Sequence, residues 1–196
     1  MGFTIKAHPE LKDIKIIHSD IFYDERGKFT ETFRMDYLSD NGIDINILQE
    51  NESVSAKNVI RGMHFQWDKP MGKLLRVLEG SIILVEVDIR YNSPTFGKHC
   101  AIPIHSSKPT MVWIPPGFAN GFLSLEDNTR VLYKCTATYN PNTESSINPY
   151  DKEINIDWIN YLNGEKSVMS KKDSDAQTLK DWMNNPNHRS FSYYGI

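Results

Sequence analysis

Three stretches of this chain gather side chains that can move a proton or grip a phosphate. The first runs from Gln49-Glu-Asn51 to Arg61-Gly-Met-His64-Phe-Gln66. It sets two amides, a guanidinium and an imidazole on or beside strand-like runs, where alternation can aim several side chains at one face. Arg61 offers the forked donors that match phosphate oxygens. His64 is the default general base near neutral pH. The second stretch is Trp113-Ile-Pro-Pro-Gly117-Phe-Ala-Asn120-Gly-Phe122. Its Pro-Pro-Gly is a strong turn, because proline fixes φ and glycine accepts positive φ. The third is Leu132-Tyr133-Lys-Cys-Thr-Ala-Thr-Tyr139, with its tyrosines six apart. On an unbroken strand both rings would face one side, offering a phenol for proton transfer and a ring for stacking. Each stretch alone also has a plain packing explanation: a core histidine, a surface turn at Arg61-Gly62, a well-packed turn, core aromatics.

The elements that must position these residues are mostly short strands. Residues 14–17, 28–33, 45–50, 74–78, 82–89, 98–104, 110–114, 121–125 and 129–138 are rich in β-branched or aromatic residues. Turn residues separate them at Asp24 to Gly27, Glu79-Gly80, Asn92 to Pro94, Pro115 to Gly117 and Glu126 to Asn128. That spacing predicts an all-β sandwich, jelly roll or barrel. Helical signals stay on the flanks, at Met35 to Asn41 and at Ser174 to Trp182, with Ser174 as an expected N-cap. No repeat or linker divides the chain, so one domain over residues 1–196 is expected. The tail 183–196 turns from polar to aromatic at Phe191, Tyr193 and Tyr194. Fraying and docking are both open there.

Composition narrows the function classes. With 22 Lys and Arg against 25 Asp and Glu, the net charge of -3 argues against nucleic-acid binding but leaves room for a local basic pocket. Cys100 and Cys135 lie in strand-like runs without CxxC spacing, as expected of reduced thiols in a cytoplasmic protein. No apolar run reaches the ~18 residues of a membrane span, and the N-terminal residues lack a signal-peptide core. The six histidines, at 8, 18, 64, 99, 105 and 188, never fall in HxH or HxxxH spacing, so no metal is expected.

Taken together, the motifs resemble the dTDP-4-dehydrorhamnose 3,5-epimerase family, cupin-like antiparallel jelly rolls that act on nucleotide-linked 4-keto sugars. The resemblance runs through Asp24-Glu-Arg26-Gly-Lys-Phe29-Thr-Glu31, Gln49-Glu-Asn51, Ile60-Arg61-Gly-Met-His64-Phe-Gln66 and Gly72-Lys73-Leu-Leu-Arg76-Val. It continues through Val87-Asp88-Ile-Arg90, Ser93-Pro-Thr-Phe96-Gly97, Trp113-Ile-Pro-Pro-Gly-Phe118, Leu132-Tyr133-Lys-Cys and Met169-Ser-Lys-Lys172-Asp173. Order and spacing agree from about residue 14 to 182. The resemblance implies a cofactor-free epimerase for a nucleotide-diphosphate 4-keto-6-deoxy sugar, in the supply of cell-surface polysaccharide precursors. A C4 ketone acidifies the hydrogens at C3 and C5, so the chemistry needs a base, an acid across the ring and a donor for the enolate oxygen. By resemblance His64 is the base, Asp173 its dyad partner, Lys73 the enolate stabiliser and Tyr133 the opposing acid. Gln49, Asn51, Arg61 and Lys172 correspond to nucleotide and pyrophosphate contacts, and Tyr139 to a base-stacking ring. Arg26, Phe29 and Glu31 resemble residues that a second subunit lends to the pocket, which implies a homodimer.

Two positions depart from the family pattern. Asn120 stands where the family usually has His, and Leu84 where it usually has Asp. These family positions resemble a second His–Asp pair, with Asn120 still expected to line the sugar pocket. Joint loss predicts a neutral wall made of an amide and an apolar residue, with neither partner stranded. Two outcomes are compatible with that: tolerated drift, or an altered sugar specificity or stereochemical result. The alternatives are thus a 3-monoepimerase, or a 3,5-epimerase for another sugar such as a GDP-linked heptose. A sugar-binding module without catalysis is the rival of another class, but it has no need for His, Lys, Tyr and Asp to converge.

Overall fold

Alternating apolar and polar side chains build two facing antiparallel sheets in the computed structural model, which describes residues 2–193. The strands are β1 (Phe3–Ala7), β2 (Lys15–Ser19), β3 (Phe22–Asp24), β4 (Gly27–Phe29), β5 (Gln49–Ser55), β6 (Ile60–Gln66) and β7 (Lys73–Glu79). They continue with β8 (Ser81–Asp88), β9 (His99–His105), β10 (Thr110–Ile114), β11 (Phe118–Ser124), β12 (Thr129–Cys135) and β13 (Glu144–Ser146). Four short helices are α1 (Met35–Asp40), α2 (Trp158–Leu162), α3 (Lys171–Ser174) and α4 (Leu179–Asn184). One sheet has the order β1-β2-β10-β7-β12-β5 and the other β13-β6-β11-β8-β9, while β3 and β4 form a separate hairpin. Non-consecutive neighbours in both sheets are the pattern of a jelly roll, the expected fold class.

Apolar side chains fill three layers. Between the sheets, Leu75, Val77 and Val131 of the first meet Ile82, Leu84, Ile102 and Phe122 of the second. Burying each such side chain contributes about 1.5–3 kcal/mol, so this layer alone outweighs the polar groups that it surrounds. The far face of the second sheet (Met63, Phe65, Val85, Leu123) is covered by Trp158, Leu179, Trp182 and Phe191. The far face of the first sheet packs Ile17, Leu74 and Met111 against Leu38, Ile43 and Ile45.

Several local expectations change. The strand expected over 45–50 lies instead at β5, whose exposed and half-exposed residues alternate with no apolar signal. Ile43 and Ile45 give that segment its apolar texture because they pack under α1, outside any strand. The helix expected from Ser174 is two helices. Ser170 caps α3, and Thr178 caps α4 in a capping box with Asp181. Phe191 is buried and packs its ring near Phe65 and Trp182, so the tail docks as far as Tyr193. Tyr194 lies outside the described residues.

Candidate active site

A bulge in β6 aims the imidazole. Asn120 of β11 pairs with His64, but Phe122 pairs with Arg61, so two β6 residues oppose the single Gly121. Without the extra residue, Arg61 and His64, three apart, would point to opposite faces. With it, both join Asn120 and Phe122 on one face. Glycine is required on both strands. A Cβ on Gly62, at φ 135°, would lie 2.5 Å from the Gly121 Cα. A Cβ on Gly121 would lie 2.8 Å from the Arg61 carbonyl. The two backbones touch where side chains would normally stand.

The opposite sheet supplies the facing wall by plain register. Lys73, Cys135 and Gln49 form one cross-strand row over β7, β12 and β5, and Leu75, Tyr133 and Asn51 form the next. Lys73, Tyr133, Gln49 and Asn51 therefore share the face that carries the inter-sheet core. The Lys73 ammonium lies 5.8 Å from the centre of the Tyr133 ring. Gln49 donates to Asn51 at 2.9 Å and accepts from the Tyr139 backbone at 2.8 Å. Burial pushes the Tyr133 phenol up, and Cys135 adds to the rise against Arg61 and Asn51, so it is a protonated donor at neutral pH.

Asp173 reaches His64 from α3, with its oxygen 2.7 Å from Nε2 of the imidazole. Its backbone N–H donates to the Ser170 cap. Burial raises the Asp173 carboxyl, but hydrogen bonding and charge from His64, with Ser170 and the Gly62 backbone, outweigh it and leave it below the usual carboxylate range. The carboxylate thus accepts from Nε2–H and leaves Nδ1 as the basic nitrogen. His64, Lys73 and Tyr139 line one small cavity together with Met71 and Glu144.

Some expectations require correction. β12 ends at Cys135, so Tyr133 and Tyr139 do not lie on one unbroken strand. Tyr139 reaches the cavity from the following loop, half-exposed, and donates to Glu144 at 3.0 Å. The expected neutral wall at Asn120 and Leu84 is not there. Leu84 pairs with Phe122 and lies in the core, while Glu86 pairs with Asn120. Positions 84 and 86 share a face, so a carboxylate does face Asn120, two residues further along β8. Asn120 Nδ2 donates to Glu86 at 2.5 Å, and the Lys73 ammonium donates to Asn120 Oδ1 at 3.0 Å.

Other side chains stand apart from the cavity. Arg61 donates to Ser55 at 2.9 Å and to the Val54 carbonyl at 3.1 Å. Arg26 pairs with Asp24, Glu31 lies near Arg34, and Phe29 is 60% exposed on the β3–β4 hairpin. None of these three lines the cavity that holds His64. Lys172 is ion-paired to Glu144 beside it.

Two acidic residues escaped the motif reading. Glu86 had a signal: it is the only charged residue within the buried run from Ile82 to Val87. Glu144 had none, because only the short pairing of β13 with β6 brings it to the cavity. Among the described residues, no group of three His, Cys, Asp or Glu is placed to hold a metal ion.

Comparisons with known proteins place the chain in a family. The family model for dTDP-4-dehydrorhamnose 3,5-epimerase matches residues 8–181. The chain belongs to that family. It is 41% identical over 166 residues to dTDP-4-dehydrorhamnose 3,5-epimerase of Methanothermobacter thermautotrophicus, covering 85% of this chain and 89% of that one. Its fold matches the crystal structure of dTDP-6-deoxy-D-glucose-3,5-epimerase from Legionella pneumophila in complex with dTDP-4-keto-L-rhamnose. That match has a TM-score of 0.89 and 36% identity over the whole of both chains. It also matches a 3'-monoepimerase from Streptomyces bikiniensis in complex with dTDP-quinovose, with a TM-score of 0.84 and 29% identity, covering 91% of this chain and 89% of that one. As a member of an epimerase family, the chain is an isomerase and not a bare sugar-binding module.

Proposed function

We propose that this enzyme epimerises a nucleotide-diphosphate 4-keto-6-deoxy sugar at C3 and C5, without a cofactor. The observation that carries the reading is His64 on one sheet, paired with Asp173 of α3, with Lys73 and Tyr133 on the other sheet. Nδ1 of His64 takes the proton from the carbon beside the ketone, and the electron pair moves into an enolate. The Lys73 ammonium balances the charge that develops on the enolate oxygen. Tyr133 returns a proton to the opposite ring face, and solvent resets both groups. No electrons leave the substrate, so no redox cofactor is needed. Arg61, Lys172, Gln49 and Asn51 hold the diphosphate and nucleotide, and Tyr139 stacks on the base.

The pocket is completed by a second copy. The β3–β4 hairpin exposes Phe22, Tyr23 and Phe29, a cluster that is costly to leave in water. Arg26, Phe29 and Glu31 then enter the partner's pocket in a homodimer. Among the described residues no helix is long and apolar enough to cross a membrane, and we place the enzyme in the cytoplasm, where nucleotide sugars are made.

Incubation with dTDP-4-keto-6-deoxyglucose in deuterium oxide, with label located by NMR, tests the reading. Label at C3 and C5 with inversion at both is the expected result. Label at C3 alone would make the enzyme a monoepimerase, and no label with any nucleotide 4-keto sugar would end the assignment.

A further inference from the structure

Glu86 is fully buried in β8, and one of its carboxylate oxygens, Oε2, has no hydrogen-bond partner. Such an orphan costs stability, so packing gives no reason for an acid here. What Glu86 does touch is Asn120, and Asn120 in turn touches Lys73. An ammonium can only donate and a carboxylate can only accept, so the amide between them has one permitted orientation. Its oxygen must face Lys73 and its nitrogen Glu86, as the structure has it.

We infer that Glu86 is a positioning residue, whose carboxylate locks the Asn120 amide and thereby holds the Lys73 ammonium beside the Tyr133 ring. The role of that ammonium in turnover rests on the epimerase reading above, but the lock itself does not. An amide at position 120 cannot carry a proton, so this wall works by orientation and charge alone.

The surroundings leave Glu86 as the main counter-charge. Burial lowers the Lys73 ammonium, and Glu86 does most to pull it back, ahead of Cys135 and Glu144. Burial lifts Glu86 well above the usual carboxylate range while Asn120 and Lys73 oppose the rise, so its charge, and with it the lock, depends on those two partners. Cys100, its row neighbour on β9, is pushed up to about 12 by burial and then by Glu86, and stays a neutral thiol. Cys135 is likewise raised by burial. Glu144 is already engaged by Lys172 and Tyr139.

The test is Glu86→Gln, which keeps the shape and removes the charge. In protein labelled at lysine Cε with carbon-13, the Lys73 signal is assigned by its loss in Lys73→Met and titrated without substrate. Its midpoint should fall by about one pH unit or more in Glu86→Gln, as expected for losing a close counter-charge. In turnover, kcat should drop roughly tenfold with KM nearly unchanged, and the alkaline limb of the kcat profile should move down in step. Asn120→Ala cuts the lock but leaves the Glu86 charge in place, so it should lower kcat similarly with a smaller Lys73 shift, a readout that stands even if Glu86→Gln fails to fold. Lys73 titrations that superimpose in wild type and variants would overturn the inference. If wild type shows the Lys73 shift yet turns over no 4-keto sugar, the lock stands and the epimerase reading falls.

Discussion

Nε2 of His64 lies 2.7 Å from Oδ1 of Asp173, although 109 residues separate them in the chain. The bond fixes which ring nitrogen is free, so the two residues should differ in what their loss does. His64→Asn should reduce deuterium exchange at both carbons by about a hundredfold or more, the range of a lost general base. Binding of dTDP should barely change, because phosphate binding is proposed to rest on Arg61 and its neighbours. Exchange at the wild-type rate would place the base elsewhere.

Asp173→Asn should be milder in kcat, because the amide oxygen can still accept from Nε2–H. The same pair links folding to pH. The Asp173 carboxyl is depressed in the folded state, so its stabilising contribution is present above the unfolded value near 4 and lost as pH falls through the folded one. Asp173→Ala should therefore cost about 1–3 kcal/mol at neutral pH, where the His64 N–H loses its partner. That gap should close in acid, as urea melts from pH 7 down to pH 3 would show.

Tyr133→Phe separates the two half-reactions. Proton removal by His64 needs no phenol, so label should still wash in at C3 or C5. The inverted product should fall by about a hundredfold, because the opposite face has lost its acid. Ring packing is kept, so a melting temperature near that of wild type is expected. Unchanged inversion would remove Tyr133 from the proposed mechanism.

If the hairpin completes the partner's pocket, two inactive variants should rescue one another. Arg26→Ala carries an intact His64, while His64→Asn carries an intact Arg26. Mixed dimers hold one pocket with both residues, so random re-association of equal amounts should restore about a quarter of the wild-type activity. Light scattering should report a dimer. A fully active monomer, or no rescue in exchanged dimers, would refute the shared pocket.

Gly62→Ala probes the bulge that aims His64. The new Cβ would meet backbone at 2.5 Å, with no flexible side chain to give way. The variant should lose about 1–3 kcal/mol from the strained backbone alone, and residual folded protein should show greatly reduced exchange. A folded, fully active Gly62→Ala would show that the close approach of β6 and β11 is unnecessary.

Much of this was legible in the sequence, because it depends on local rules. Period-two patterns with regular turns mark a β-sandwich or jelly roll, since a strand half-buried on one face must alternate. Residue types alone pointed to a base and a phosphate grip, and it was the family resemblance of the motifs around His64, Lys73, Tyr133 and Asp173 that implied proton chemistry on a 4-keto sugar. β5 was misplaced by the same logic: a strand that lines a pocket with amides and acids shows no apolar alternation.

What only the tertiary structure decided were relations between residues far apart in the chain. The wall facing Lys73 reads from sequence as an amide and a leucine. It is an amide and a carboxylate, because β8 sets Glu86, and not Leu84, opposite Asn120. Neither cross-strand register nor a bulge is written in either strand alone. Both follow from the backbones finding a pairing that buries their apolar faces together. The bulge at Gly62 puts Arg61 and His64 on one face, against the parity of their numbers. Which side chains meet in the pocket is set by that packing, and the sequence supplies only the residues that packing brings together.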